Sequence, residues 1–503
     1  MTGRGSFTKW MWTGMTAVAL AGSCVDQQKE VSIYRSILDE RVPPAPSYEP
    51  GQELTLAQAL ALTNQNRETL AVQGEDYLQA LLNKNRAVAA FLPTVTLQPA
   101  FTLSDRPRQQ RTTATTRPSL GSALGLPSAG GNTGSSSVSR AGSTSGFRAE
   151  GHHMYRTEVP VVGEITLFNG FGDIATYRAS KEIIEERRLN LLNAQATVLL
   201  NAAQVFYQVL RSERQVEVLR NSVQVQQARV RDEEQRFANG LSTKLAVAQT
   251  QAQLASTLAS LAQAEGDVAN GRALLAFVIG VERVDGRLID DVQVPDVLED
   301  LSVYEQQAAE LRQDVLAAQA AVRAARHNVD VAISQYYPSV TLNVTAFLYR
   351  EYFADASKWN AVLSANLPIF SAGLIEADVR SAWSTMRVAA LVESETRRMA
   401  IADARTAYAN LLASERRIAA LRDQVEAAHE ALRQAQAGLV NNLAIVLDVL
   451  NAQDQVLNAE LNLVSAEYDR RVFYLNLLRA VGRLPLEATR ATTQPASAPA
   501  PEI

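Results

Sequence analysis

Two periodicities alternate along the chain. Over residues 172–238, apolar positions such as Ile183, Val198, Val205, Val209 and Val216 are interleaved with Gln, Glu and Arg. That spacing predicts one helix with a packed face and a wet face. It would span roughly 100 Å at about 1.5 Å per residue. A second such rod is predicted near 374–437. Four other segments change to period two. Val95, Leu97, Pro99, Phe101 and Leu103 oppose Thr94, Thr96, Gln98, Thr102 and Ser104, while Val340, Leu342, Val344, Ala346 and Leu348 oppose Thr341, Asn343 and Thr345. The same alternation runs through Val159, Val161, Gly163, Ile165 and Leu167, and through Ala361, Leu363, Ala365, Leu367 and Ile369. Side chains alternate across a strand, so each segment has one greasy and one more polar face. The predicted strands cover about 94–104, 157–168, 339–349 and 359–370.

The pattern is written twice. "LFNGFGDIATYRASK" at 167–181 answers "IFSAGLIEADVRSAW" at 369–383, and "SER" at 212–214 answers "SER" at 414–416. "FANGLSTKLAVAQTQAQL" at 237–254 answers "LVNNLAIVLDVLNAQDQV" at 439–456, all at one offset of 202 residues. The phrases "LPTVTL" and "YPSVTL" lie 245 residues apart, from Pro93 to Pro338, so the first half carries 43 extra residues. These fall in a Ser/Gly/Thr/Pro-rich stretch, 104–156, whose composition predicts a mobile loop. Each proline ends a helix, because its ring obstructs the preceding turn and it donates no hydrogen bond. The chain therefore reads as mainly α with a small β part: a duplicated helix-strand-strand-helix-helix unit. The first repeat covers 54–280 and the second 305–484, with linkers at 24–53 and 281–304 and a disordered Pro/Ala-rich tail at 485–503.

The amino terminus adds export. Arg4 and Lys9 precede the short apolar run "WMWTGMTAVAL" and small residues, which predicts a signal peptide over 1–23. The run is shorter than the roughly 20 residues of a spanning helix. "LAGSC" resembles a bacterial lipoprotein signal with Cys24 as the lipid anchor, although Leu20 sits one residue too far away. Cleavage after "ALA" at 19–21, leaving Cys24 a bystander, is the other reading. As Cys24 is the sole cysteine, no intrachain disulfide can form. A net charge of -5 gives no sign of nucleic-acid binding. His152, His153, His327 and His429 show no zinc-site spacing and read as surface or packing residues. No nucleophile elbow, phosphate loop or cofactor motif is present, so no enzyme is expected.

Each strand has about the 9–11 residues of a tilted transmembrane β-strand. Tyr349, Tyr352, Phe353 and Trp359 bracket one hairpin loop, where an interfacial aromatic girdle would sit. A half-buried sheet in a soluble protein would show the same alternation. In a membrane, four strands cannot close a barrel and an open edge is intolerable, so several chains would have to pool their strands.

With the repeat, strands and turns in place, the chain resembles the TolC family of outer-membrane efflux channels over residues 54–484. The best local markers are "NGLSTKLAVAQTQAQLA" and "IVLDVLNAQDQVLNAELNLVSAEYDRR". The resemblance implies a homotrimer in outer-membrane lipid, whose 12-stranded transmembrane β-barrel continues into a long periplasmic α-helical barrel. It implies a periplasmic adaptor (membrane fusion) protein and an inner-membrane transporter as partners, the latter supplying energy. The helix tips at Asn239, Gly240, Ser242, Asn441 and Asn442 would form the periplasmic entrance and dock the adaptor, and Pro93 and Pro338 would mark the helix-to-strand junctions. Asp448 matches the first acidic gate position of the family, while Asn451 stands where the second acid is expected. Alternatively, Asp448 is a solvated first-turn residue favoured by the helix dipole. A soluble periplasmic coiled-coil scaffold or adaptor without a pore is the competing function.

Overall fold

The computed structural model describes residues 27–42, 48–103, 155–290, 292–295, 298–350, 357–441 and 443–484. The predicted signal segment, Cys24, residues 104–154 of the Ser/Gly-rich stretch, Tyr352, Phe353, Asn442 and the predicted tail lie outside them. In chain order the elements are α1 (Gln27–Asp39), β1 (Leu54–Thr55), α2 (Leu56–Asn66), α3 (Glu68–Ala89), β2 (Thr94–Leu97), β3 (Ala100–Leu103), β4 (Tyr155–Asn169) and α4 (Gly172–Ala238). Then follow α5 (Lys244–Ile279), β5 (Leu288–Ile289), α6 (Leu301–Leu311), α7 (Gln313–Ser334), β6 (Ser339–Arg350), β7 (Trp359–Asn366), α8 (Leu374–Val440) and α9 (Val446–Ala480). They form two compact units, a helical one and a smaller one holding Phe91–Phe168 and Pro338–Leu367.

In the helical unit, α4 and α8 are the two rods, each of 67 residues. Both are entered through two successive residues with positive φ. These are Gly170 (65°) and Phe171 (67°) before α4, and Ala372 (50°) and Gly373 (84°) before α8. The left-handed region favours glycine, and each repeat supplies one, at opposite positions of the pair. At Gly170 a Cβ would also lie 2.4 Å from the Ser334 carbonyl oxygen.

The helix that opens each repeat is not continuous. Each is broken by one extended arginine, Arg67 (φ -77°, ψ 119°) between α2 and α3, and Arg312 (φ -69°, ψ 129°) between α6 and α7. Tertiary partners hold both. Arg67 Nη1 donates to the Phe277 carbonyl at 3.3 Å, and its guanidinium lies 4.7 Å from the Phe277 ring centroid. Arg312 is buried and pairs with Asp314 at 2.9 Å and Asp403 at 2.7 Å.

The core sits around the middle of each rod. Leu199, Phe206 and Tyr207 of α4 pack with Leu56 and Leu60 of α2, Leu275 and Ile279 of α5, and Leu475 of α9. Ala404 and Leu411 of α8 pack with Tyr304, Val315 and Leu477. The first of these clusters includes Leu54 and Leu288, which pair in the short parallel β1–β5 ladder. The stretch 24–53 is also more than a linker: α1 buries Tyr34 and Leu38 against Leu70, Tyr77 and Leu191. Gly74 makes the room, since a Cβ there would meet the Tyr34 ring at 2.4 Å.

The smaller unit is a sheet in the order β2–β4–β6–β7, with β3 also paired to β4. The segment predicted as one strand at 94–104 divides at Gln98-Pro99, because proline has no N–H for the ladder. The register is unbroken across the gap: Leu97 faces Val161, Ala100 faces Glu158, and Gln98 N–H donates to Pro160 O at 3.0 Å. β7, predicted to run to 370, ends at Asn366, two residues before Pro368. Arg350 bridges β6 to β4 through Glu158 at 2.9 Å.

Candidate functional site: helix tips and sheet face

The first tip joins α4 to α5. Asn239 caps the rod, Gly240 follows at φ 71°, and two bonds close the turn: Gly240 N–H to Phe237 O (3.0 Å) and Leu241 N–H to Arg236 O (2.8 Å). This pair of bonds is a Schellman stop, which needs a left-handed residue after the cap. Thr243 then starts α5, its Oγ1 accepting from Ala246 N–H at 3.1 Å. Ser242 donates to the buried carboxylate of Glu233.

The second tip shares one of these bonds among its described residues. Asn441 N–H and Nδ2 both donate to Ala437 O, and Leu443 N–H reaches Gly438 O at 2.7 Å. The start of the next helix differs. Ile445 occupies the place of Thr243 and has no side-chain acceptor. Instead the carboxylate of Asp448, three residues on, accepts from Ile445 N–H at 2.9 Å. The two reciprocal bonds of a capping box are thus shared out, one to each repeat. Asp448 and Asn451 are both exposed, on consecutive turns of α9 with Gln455 and Asn458.

The tips present apolar side chains to solvent: Leu241 and Leu245 on the first, Val440, Leu443 and Ile445 on the second. The two helical hairpins are tied together where Gln253 Nε2 of α5 donates to Asp454 of α9. Burial pushes the Asp454 carboxyl above its ordinary value. Sequence spacing gave no sign of this tie.

In the sheet, several residues of the predicted greasy face are exposed. Val95 is 69 % exposed, Phe101 67 % and Leu363 65 %. A soluble half-buried sheet would hide such residues, and an apolar band of this kind marks a partner or lipid surface. Pro93 and Pro338 each stand directly before the first strand of their repeat. Among the described residues, no group of His, Cys, Asp and Glu forms a metal cluster, and no helix is long and apolar enough to cross a membrane.

A family model for outer membrane efflux proteins matches residues 59–281 and 305–483. The chain is 27% identical over 326 residues to the outer membrane efflux protein BepC of Brucella suis biovar 1, covering 63% of this chain and 70% of that one. It is 22% identical to the probable outer membrane lipoprotein SilC of Salmonella typhimurium, over 62% and 67% of the two chains. Among solved structures, the outer membrane protein VceC from Vibrio cholerae superposes with a TM-score of 0.68 at 20% identity, over 85% of this chain and 96% of that one. A membrane protein from Pseudomonas aeruginosa gives 0.71 at 17%, over 90% and 99%. The match to both repeats, together with rods, tips and exposed apolar strand residues, makes this chain a member of the outer membrane efflux protein family and an outer-membrane channel.

Proposed function

We propose that three copies of this chain form the exit duct of a tripartite efflux or secretion system, passively conducting substrates across the periplasm and outer membrane. One observation carries the assembly. Leu189 on α4 is 7% exposed, whereas its repeat equivalent on α8, Leu391, is 69% exposed. Within the chain, α3 packs on α4, α4 on α7, and α7 on α8. The series is completed when α8 packs on α3 of a second copy, whose Val72 and Leu82 are exposed. Val388, Leu391 and Val392 then gain the cover that Leu189 already has.

The strands support the same closure. Among the described residues, β7 has β6 as its one neighbour, and β2 and β3 have only β4. Four strands per copy from three copies give twelve, enough for a closed barrel where four are not. The apolar tips suit docking of a periplasmic adaptor protein, and an inner-membrane transporter supplies the energy. Three copies of Asp448 place an anionic ring at the entrance, which favours cations. Cys24 supplies the lipid anchor, and Pro93 and Pro338 turn the helices into strands.

The test is extraction and reconstitution. The detergent-solubilised protein should run as a trimer and give discrete conductance steps in a planar bilayer. A water-soluble monomer without conductance would show that the chain is a scaffold instead.

A further inference from the structure

Helices α4 and α7 leave an open groove of about 500 Å³ between them. It opens at Gly170, the residue after β4, and reaches Tyr337, two residues before β6. Its two walls read in the same order from the strand end. On α4 they run Phe171, Ile174, Arg178, and on α7 Tyr337, Ile333, Asp330. Steps of three and four keep each set on one face of its helix. Phe171, Ile174 and Tyr337 are exposed, and so are the charged residues at the far end.

Two contacts fix the register of the helices. A Cβ at Gly172 would stand 2.6 Å from Ser334 Oγ, and Arg323 Nε meets Glu182 at 2.6 Å. Arg178 lies six residues from Gly172 and four from Glu182, which sets it level with residue 328 by the first contact and 327 by the second. Asp330 therefore stands within one turn of it, roughly 3–5 Å along the axis. Arg178 has no ion-pair partner among the described residues. Asp330 has only a long contact there, from His327 Nδ1 to its Oδ2 at 3.4 Å. The other repeat cancels its charge. Arg380 takes the place of Arg178 and pairs at 2.7 Å with Glu376, where α4 has Ile174. Asn85, 245 residues earlier, takes the place of Asp330.

Apolar rings beside the strands and charges beyond them follow the order of a phospholipid from chain to headgroup. Aromatic side chains suit the boundary between hydrocarbon and headgroups. Seven residues of helix carry Arg178 and Asp330 roughly 10 Å past that boundary, a span from which the long arginine can reach back to the headgroup layer. A phosphate alone would satisfy Arg178 and be repelled by Asp330. A headgroup holding phosphate and ammonium satisfies both. We propose that this groove binds one phospholipid of the periplasmic leaflet with an ethanolamine headgroup. Its phosphate sits on Arg178, its ammonium on Asp330, and an acyl chain runs along Ile174, Ile333 and the two rings.

The detergent-purified full chain would be titrated with phosphatidylethanolamine and, separately, with phosphatidylglycerol, and bound lipid counted by native mass spectrometry. The expected result is one phosphatidylethanolamine per chain, held about tenfold tighter than phosphatidylglycerol, the worth of one charge-assisted contact. A count per chain reads the same however many chains assemble, so it stands apart from the trimer. Arg178→Gln should weaken both lipids by about tenfold. Asp330→Asn should erase the preference between them. Arg380→Gln, at the paired position of the other repeat, should change neither. Equal binding of the two lipids by the unaltered chain, or a preference that survives Asp330→Asn, overturns the headgroup assignment. Retention unchanged in Arg178→Gln overturns the groove, as does the absence of bound lipid, which would leave this face to a protein partner.

Discussion

Asp448 has two duties that a single substitution can separate. Its carboxylate holds the Ile445 N–H, and in the proposed trimer it would add one charge to the entrance ring. Asp448→Asn keeps an acceptor and removes the charge, so it should lower single-channel cation selectivity while leaving the tip folded. Asp448→Ala should also loosen the start of α9 by about 1 kcal/mol, as cap losses do, visible as faster amide exchange over 445–448. Selectivity unchanged in both variants would leave Asp448 as a cap and nothing more. Asp454 gives a pH test. Burial raises its pKa above 3.8, so its charged form is penalised in the folded state at neutral pH. Asp454→Asn should therefore raise the thermal midpoint at pH 7. The advantage should shrink as pH falls through the raised pKa and vanish below about 3.9, where the unfolded chain is protonated too.

Among the elements, the glycine turns differ in what they ask of the residue. At Gly240 a Cβ would meet open space, so only the left-handed backbone resists substitution. Gly240→Ala should cost about 1 kcal/mol. At Gly170 the same change drives a Cβ into the Ser334 carbonyl, so the loss in denaturant midpoint should be clearly larger. The rods, the Asn239-Gly240 stop and the alternating strands were legible in the sequence because each is a local pattern. The breaks at Arg67 and Arg312 were not. An arginine among helix formers carries no stop signal, and the groups that hold it, Phe277 and Asp403, are remote in the chain. Nor was α1 legible, because the notch that receives Tyr34 is made by Gly74 on another helix. His429 looked solitary for the same reason: its ion-pair partner, Glu460, stands on the next helix.

For the whole molecule, the duplication predicts which surface must find a partner. Leu391→Arg should break the proposed trimer into monomers in mild detergent, since it puts a charge where the equivalent Leu189 is buried. Val225→Arg, on an exposed position of α4, serves as the control and should leave assembly intact. The equal length of the rods has a consequence for how such a chain can change. The stretch between the paired strands differs by 43 residues from one repeat to the other, yet both rods keep 67. Removing seven residues from α4 would draw its tip back by roughly 10 Å, out of level with the tip of α8. The edit becomes tolerable when α8 and the returning helices lose the same amount. Loop length is free to drift by single events, but the reach of the molecule can grow or shrink only through coordinated changes in both halves.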